Sequence, residues 1–441
     1  MTKKADKQDI LDSLIRSARR AGADAADALL VESVSAGVSY RLGKLEDVER
    51  SESSDLGLRV FVGARVAFVS STDFSADRLA ELPERAVAMA RLAPEDKYAG
   101  LAPRELLATE FPSLDLEDPN EPSTETLIER ARAIEGAAMA VPGITNSEGG
   151  GASFSRSAIA LATSEGFRGA YAGTSHSIGV AVLGGEGAGM ERDYDEASAR
   201  HASDLKDASA VGKSAGERTM ARLNPRQVKS QKVPVVYDPR ASSGLVGHFA
   251  GAISGASIAR GVSFLKDKMG EMIFASSINI IDDPHRMRGP RSKPFDGEGV
   301  RNARKALIAN GVLKTWLLDT ASARQLGLTT NGHAARGTGG PPSPSTTNLY
   351  MEAGPLSRDE LIADIKDGFY VTELMGMGVS GVTGDYSRGA AGFWIENGKI
   401  TYPVSGVTIA SNLKDMFLNM TPANDLEFRH GTNAPTIRVE G

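Results

Sequence analysis

The residues of this chain that could hold a metal or move protons are few and scattered. Its six histidines, His176, His201, His248, His285, His333 and His430, include no His-x-x-x-His or His-x-x-x-x-His pair. A zinc-hydrolase helix sets two histidines a turn apart, so that both imidazoles reach one ion from the same face, with a glutamate to polarise the bound water. No helix here codes that arrangement, although a site gathered from distant positions stays open. The alternative at each histidine is a polar ring satisfied in a loop or in the core. Two glycine-flanked acidic loops, Asp282-Asp283-Pro284-His285 and Asp296-Gly297-Glu298-Gly299, offer oxygen ligands. A calcium loop needs more of them at a regular spacing, so solvated turns are expected instead.

Nucleophiles are equally sparse. There is no cysteine, hence no thiolate and no disulfide framework. Ser242, Ser243 and Ser254 lack the Gly-x-Ser-x-Gly elbow that would activate them, and no phosphate-cradling Gly-x-x-x-x-Gly-Lys-Ser/Thr pattern occurs. The stretch from Ser242 to Ser263 carries Gly247, Gly251, Gly255 and Gly261 among serines and alanines. Small residues at that spacing let another backbone approach closely, which predicts a helix buried against a neighbour or against a bound extended chain.

The elements that position these residues read as an α+β fold. Ile10, Leu11, Leu14, Ile15 and Ala18 lie at helical spacing within residues 8–21. From Ala28 to Ser71 the period changes to two, with a turn at Gly63-Ala64, and predicts an antiparallel meander of four or five short strands. A helix follows over 76–93, another over 123–140, alternating strands over 142–197, and a further helix over 203–222. The order suggests that a helix-meander-helix unit occurs twice. A basic linker, Arg226 to Lys232, precedes the strand Val233 to Asp238. Two domains are therefore expected: 1–230, of meanders with flanking helices, and 231–441, mainly antiparallel β with helices near 242–259, 316–325 and 358–365.

Bulk properties exclude several function classes. A net charge of -6 gives no basic footprint for nucleic acid. The charged start, Met1 to Asp12, lacks the apolar core of a signal peptide, and no apolar run approaches the roughly 20 residues that span a bilayer. A cytoplasmic protein without membrane contact is expected.

Taken together, a long co-linear set of segments resembles the TldD/PmbA family, the modulator of DNA gyrase proteins that include the paired TldD and TldE (PmbA) subunits of a bacterial peptidase. In the N-terminal half these segments are Gly57-Leu58-Arg59-Val60 and Gly63 to Asp73. In the C-terminal half they are Val233 to Val236, Gly247-His248, Ser254 to Arg260, Ser263-Phe264-Leu265, Gly332-His333-Ala334, Thr346 to Leu349 and Gly381 to Gly392. The resemblance implies a zinc peptidase with a His-Glu-x-x-x-His helix and a distant cysteine ligand in its active member. Carried over, the first histidine falls on Ser243, the glutamate on Gly244 and the second histidine on His248, and no cysteine is present. Neither a serine hydroxyl nor a glycine can take over those roles.

The chain thus resembles the PmbA/TldE type, which lacks the metal site, with no catalytic residue and no metal of its own. The resemblance implies a zinc-bearing TldD-like paralogue as partner, or a homodimer in its absence, and an unfolded peptide as substrate. This chain would then supply part of a chamber wall and of a peptide groove. Candidate groove residues are His248, Arg260, Thr347, Asn348, Asp385 and Arg388, polar positions inside the shared motifs; Asp385 and Arg388 could equally form a structural ion pair. Two alternatives stand beside this reading. One is a peptide-binding or gyrase-modulating homodimer without proteolysis, and the other is a weak autonomous hydrolase with a metal gathered from separated residues.

Overall fold

A computed structural model describes residues 7–441; the charged residues 1–6 of the expected N-terminal stretch lie outside it. The N-terminal half opens with α1 (Lys7–Arg20), which buries Leu11, Leu14, Ile15 and Ala18 as its spacing requires. Three strands follow, β1 (Ala25–Arg41), β2 (Lys44–Val62) and β3 (Arg65–Ser71), then α2 (Ala76–Leu92). The second unit repeats the order: α3 (Thr124–Met139), β4 (Ile144–Thr163), β5 (Arg168–Gly184), β6 (Glu191–Ala199) and α4 (Ala208–Ala221). All six strands form one sheet in the order β3-β2-β1-β4-β5-β6, with β1 and β4 antiparallel at its centre.

The meander thus has three long strands rather than four or five short ones. The extra length lies in residues 44–53, all exposed and rich in charge. Backbone pairing to β1 across the Leu42-Gly43 turn holds them extended, not side-chain burial, and both turn residues take positive φ, 47° and 75°. Alternation along the sheet sorts its two faces. Ala26, Ala28 and Leu30 pack under α1 and α2, while Val38, Ala152, Ile178 and Val180 pack under α3 and α4. The opposite face, from Leu29, Leu161 and Tyr171, packs on Phe167, Phe295 and Val300 and so reaches the C-terminal half.

That half contains β7 (Val235–Tyr237), α5 (Pro239–Ala252), α6 (Gly255–Ala259), β8 (Ile280–Asp282), β9 (Lys305–Ala309), β10 (Val312–Leu313) and α7 (Thr320–Gln325). It continues through β11 (Ala334–Ala335), β12 (Ser343–Pro344), β13 (Leu349–Met351), α8 (Arg358–Ile362), β14 (Asp367–Val379), β15 (Asp385–Glu396) and β16 (Lys399–Asn412). It ends with α9 (Leu413–Leu418), β17 (Met420–Pro422), β18 (Thr432–Asn433) and β19 (Ile437–Val439). The larger sheet runs β16-β15-β14-β7-β19-β17 and the smaller β10-β9-β8-β13-β18. All pairings but β14–β7 and β13–β18 are antiparallel.

The helix expected over 242–259 is split. Leu317 donates to the Ile253 carbonyl (3.0 Å) and accepts from Gly255 (2.7 Å), so a passing chain takes the hydrogen bonds that would have continued the helix. A buried ion network fastens the halves together. Asp27 of β1 accepts from Arg59 of β2 and from Arg336 (2.7 Å), and Glu298 approaches Arg59 at 3.9 Å. Beside it Gly57 leaves room for the chain at Thr338, whose carbonyl oxygen would stand 2.3 Å from a β-carbon there.

Candidate functional site

Helix α5 carries the positions of interest. Its start is fixed by Asp238, which accepts from the Arg240 amide (3.0 Å), and by Pro239 in the first turn. Leu245, Val246, Phe249 and Ala252 bury one face. On the other, Gly244, Gly247 and Gly251 are exposed, and a β-carbon built at any of them would meet nothing within 4 Å. Of the two expectations for the small residues, a neighbouring element or a bound extended chain, the first therefore fails within this chain at Gly247 and Gly251. It holds at Gly255, where the Leu317 carbonyl lies 2.7 Å from a β-carbon position.

Ser243 and His248 diverge from this helix. Five residues at 3.6 per turn rotate a side chain by about 140°, and the two positions meet different surroundings. Ser243 lines a cavity of about 280 Å³ with Arg240, Tyr370, Arg429 and His430, and its Oγ donates to the Arg240 carbonyl (3.3 Å). His248 sets its ring edge-on to Tyr386 of β15, with centroids 6.1 Å apart. Burial, and then the Arg388 charge, push the His248 imidazole below its usual range and keep it neutral at pH 7.

The sheet beneath α5 borders a larger cavity of about 750 Å³. Its floor is Tyr237, Phe369 and Trp394; its walls are residues 406–411 of β16 and the basic linker around Lys229 and Lys232. Strand β16 is the outermost strand of its sheet.

The other candidate residues disperse. Arg388 lies beside Tyr386 on β15 and donates through Nε to the Met375 carbonyl (3.1 Å). It makes no ion pair with Asp385 among the described residues: three positions apart on a strand, the two side chains leave opposite faces. Asp385 is exposed, and hydrogen bonds from Thr383 Oγ1 (2.6 Å) and Asn412 Nδ2 (3.1 Å) hold its carboxyl below the usual range. Arg260 is exposed at the end of α6. Thr347 and Asn348 are each 1% exposed and are fully engaged inside the chain. Thr347 donates to Asp282 through its amide (2.6 Å) and Oγ1 (2.7 Å), and Asn348 Nδ2 donates to the Asp283 carbonyl and Ser292 Oγ. In this chain they pin β8 to the β13 segment and offer no surface to a peptide.

The acidic loops are buried anchors, not the solvated turns expected of them. Asp282 and Asp296 are each 1% exposed and Glu298 is 3% exposed. Asp296 accepts from the amides of Glu298, Val300 and Ala334, and Glu298 accepts from Thr320. His333 lies against Asp282 (3.4 Å). Among the described residues no three or more His, Cys, Asp or Glu side chains are grouped to hold a metal ion. Tyr386, edge-on to the His248 ring, and Tyr237, which interacts with Tyr386, escape a sequence reading, because a tyrosine inside a strand motif carries no spacing signal of its own.

With this geometry in view, comparison with known proteins is direct. Residues 26–90, 117–223 and 230–441 match, in turn, domain 1, the central domain and the C-terminal domain of the PmbA/TldA metallopeptidases. Metalloprotease PmbA of Escherichia coli O157:H7 is 40% identical over 94% of this chain and 90% of its own length. A PmbA homolog of Haemophilus influenzae is 34% identical over 99% of this chain and 96% of its own. A Bacteroides thetaiotaomicron crystal structure described as a candidate modulator of DNA gyrase superposes with a TM-score of 0.92 at 26% identity, covering 100% of this chain and 99% of that one. TldE of Thermococcus kodakarensis shares the fold, at a TM-score of 0.86 and 21% identity over 98% of each chain. Matches over all three domains, together with the helix that carries His248 and the sheet beneath it, show that this chain belongs to the PmbA/TldD metallopeptidase family.

Proposed function

We propose that this chain is the zinc-free member of a TldD/TldE-type peptidase pair and forms part of the groove that presents an unfolded peptide to a zinc-bearing paralogue. Two observations support this reading: the glycine face of α5 is open, and a separate 750 Å³ cavity is edged by the outer strand β16. A glycine-lined helix face admits a backbone at close range, and an unpaired strand edge binds extended peptide through main-chain hydrogen bonds with little demand on sequence. At the family's metal position this chain offers one imidazole, a hydroxyl directed elsewhere and a glycine, short of the three ligands that a catalytic zinc requires. Zinc and the water it activates belong to the partner, and without the partner a second copy closes the same face. A cytoplasmic setting fits the absence of cysteine.

The test combines metal analysis of the purified chain with cleavage of an unfolded polypeptide, by the chain alone and after addition of the His-Glu-x-x-x-His paralogue from the same genome. Cleavage only in the mixture, with zinc only in the paralogue, is expected. Chelator-sensitive cleavage by the chain alone would overturn the assignment.

A further inference from the structure

The hydroxyls of Tyr237 and Tyr386 are buried and interact with each other, and neither makes a hydrogen bond with any other described group. The pair can satisfy one of its two O–H donors internally, which leaves one buried donor in need of an acceptor from outside. Burial raises both phenols, Tyr237 well above 10, and they therefore stay protonated and keep a proton to donate. Arg388, two residues from Tyr386 and so on the same face of β15, lies close enough to act electrostatically on both phenols and on His248. Its Nε is engaged by the Met375 carbonyl, and no carboxylate of the described chain pairs with the guanidinium. The nearest acid in sequence, Asp385, is turned away and tied to Thr383 and Asn412. This is a place rich in donors and without an anion; of the three side chains Tyr237 lines the 750 Å³ cavity, and Arg388 pairs in register with Ile409 of β16, another lining residue.

We infer that Arg388, Tyr237 and Tyr386 form a carboxylate-binding site that receives a carboxylate of the peptide held in the cavity. A carboxylate presents about four acceptor positions on two oxygens, enough for the guanidinium and both hydroxyls at once. The carboxylate is that of a chain terminus or of an Asp or Glu side chain; the chemistry is the same. The inference rests on the groove reading above, and the test separates the two.

Fluorescently labelled unstructured nonapeptides would be titrated against the full-length protein in four forms: free C-terminus or C-terminal amide, each with or without one internal Glu. A preference of about tenfold or more for peptides bearing a carboxylate is expected, and comparison of the four forms shows which source is used. Arg388→Gln should abolish that preference. Tyr237→Phe and Tyr386→Phe provide a readout that a structural role would not give. Each should narrow the discrimination between carboxylate-bearing and amidated peptides severalfold, whereas a change that only loosened the fold would weaken all four peptides alike. Equal binding of all four peptides, or a preference that survives Arg388→Gln, overturns the carboxylate site and leaves the groove standing. If no peptide binds, both fail.

Discussion

His176 and Glu298 are buried in opposite halves, and acid acts on them in opposite senses. Burial lowers the His176 imidazole despite its contact with Asp118 (3.1 Å), so the native state favours the neutral ring. Its stabilising contribution is complete above the unfolded value near 6.5 and is lost as the pH falls toward the depressed native value. For Asp118 burial works against ionisation, but amide bonds from Ala202 and Asn120 outweigh it and hold the carboxyl at about 2. That contribution is present above 3.8 and disappears between about pH 4 and 2. Glu298 is the reverse: burial and then the Asp296 charge raise it to about 7, so its contribution is full below 4.5 and is lost as the pH rises through 7. Glu298→Gln should therefore gain on the natural protein in melting temperature between pH 5 and pH 8; a difference that is constant across that range would refute the assignment. Separately, His176→Gln should flatten the loss of stability between pH 6.5 and 5, measured by denaturant titration at each pH.

At the scale of elements, the glycines of α5 and the seam between the halves make contrasting predictions. Gly244, Gly247 and Gly251 occupy exposed positions with space for a side chain. Replacing each by Ala should stabilise the isolated chain by about 0.5–1 kcal/mol, since glycine costs that much in a helix interior. The same changes should weaken association with peptide or paralogue, and a gain in stability with unchanged binding would show that the open face has no role. Arg336→Ala should do the reverse of stabilising. It removes one of two cations from buried Asp27, and a loss of about 3 kcal/mol in urea unfolding is expected. Periodicity in the sequence locates α1, α2 and α3 within a residue or two, because one face of each is apolar and the other charged. It misses the outer half of β2, where pairing alone keeps charged residues extended, and it misses the break after Ile253, which a distant chain imposes.

For the whole molecule, the family is legible in the sequence because its short motifs are spread co-linearly along the chain. Which motif residues meet is not legible. Thr347 and Asn348 stand in a motif as prominent as the one with Arg388, yet they turn inward because Asp282 and Asp283, some 65 residues away, need their donors. Asp296 and Glu298 read as solvated because nothing local announces that Arg59 and Thr320 will cover them. The sheet order β3-β2-β1-β4-β5-β6 reads the same from either edge, one helix-meander-helix unit on each side of the antiparallel β1–β4 seam. Such a palindrome is what gene duplication and fusion of a self-associating ancestor would leave behind, with today's internal seam as yesterday's dimer contact. The connection from α2 to α3, residues 93–123, would then be dispensable as a covalent link, and a protein cut just after α2 should refold from its two fragments.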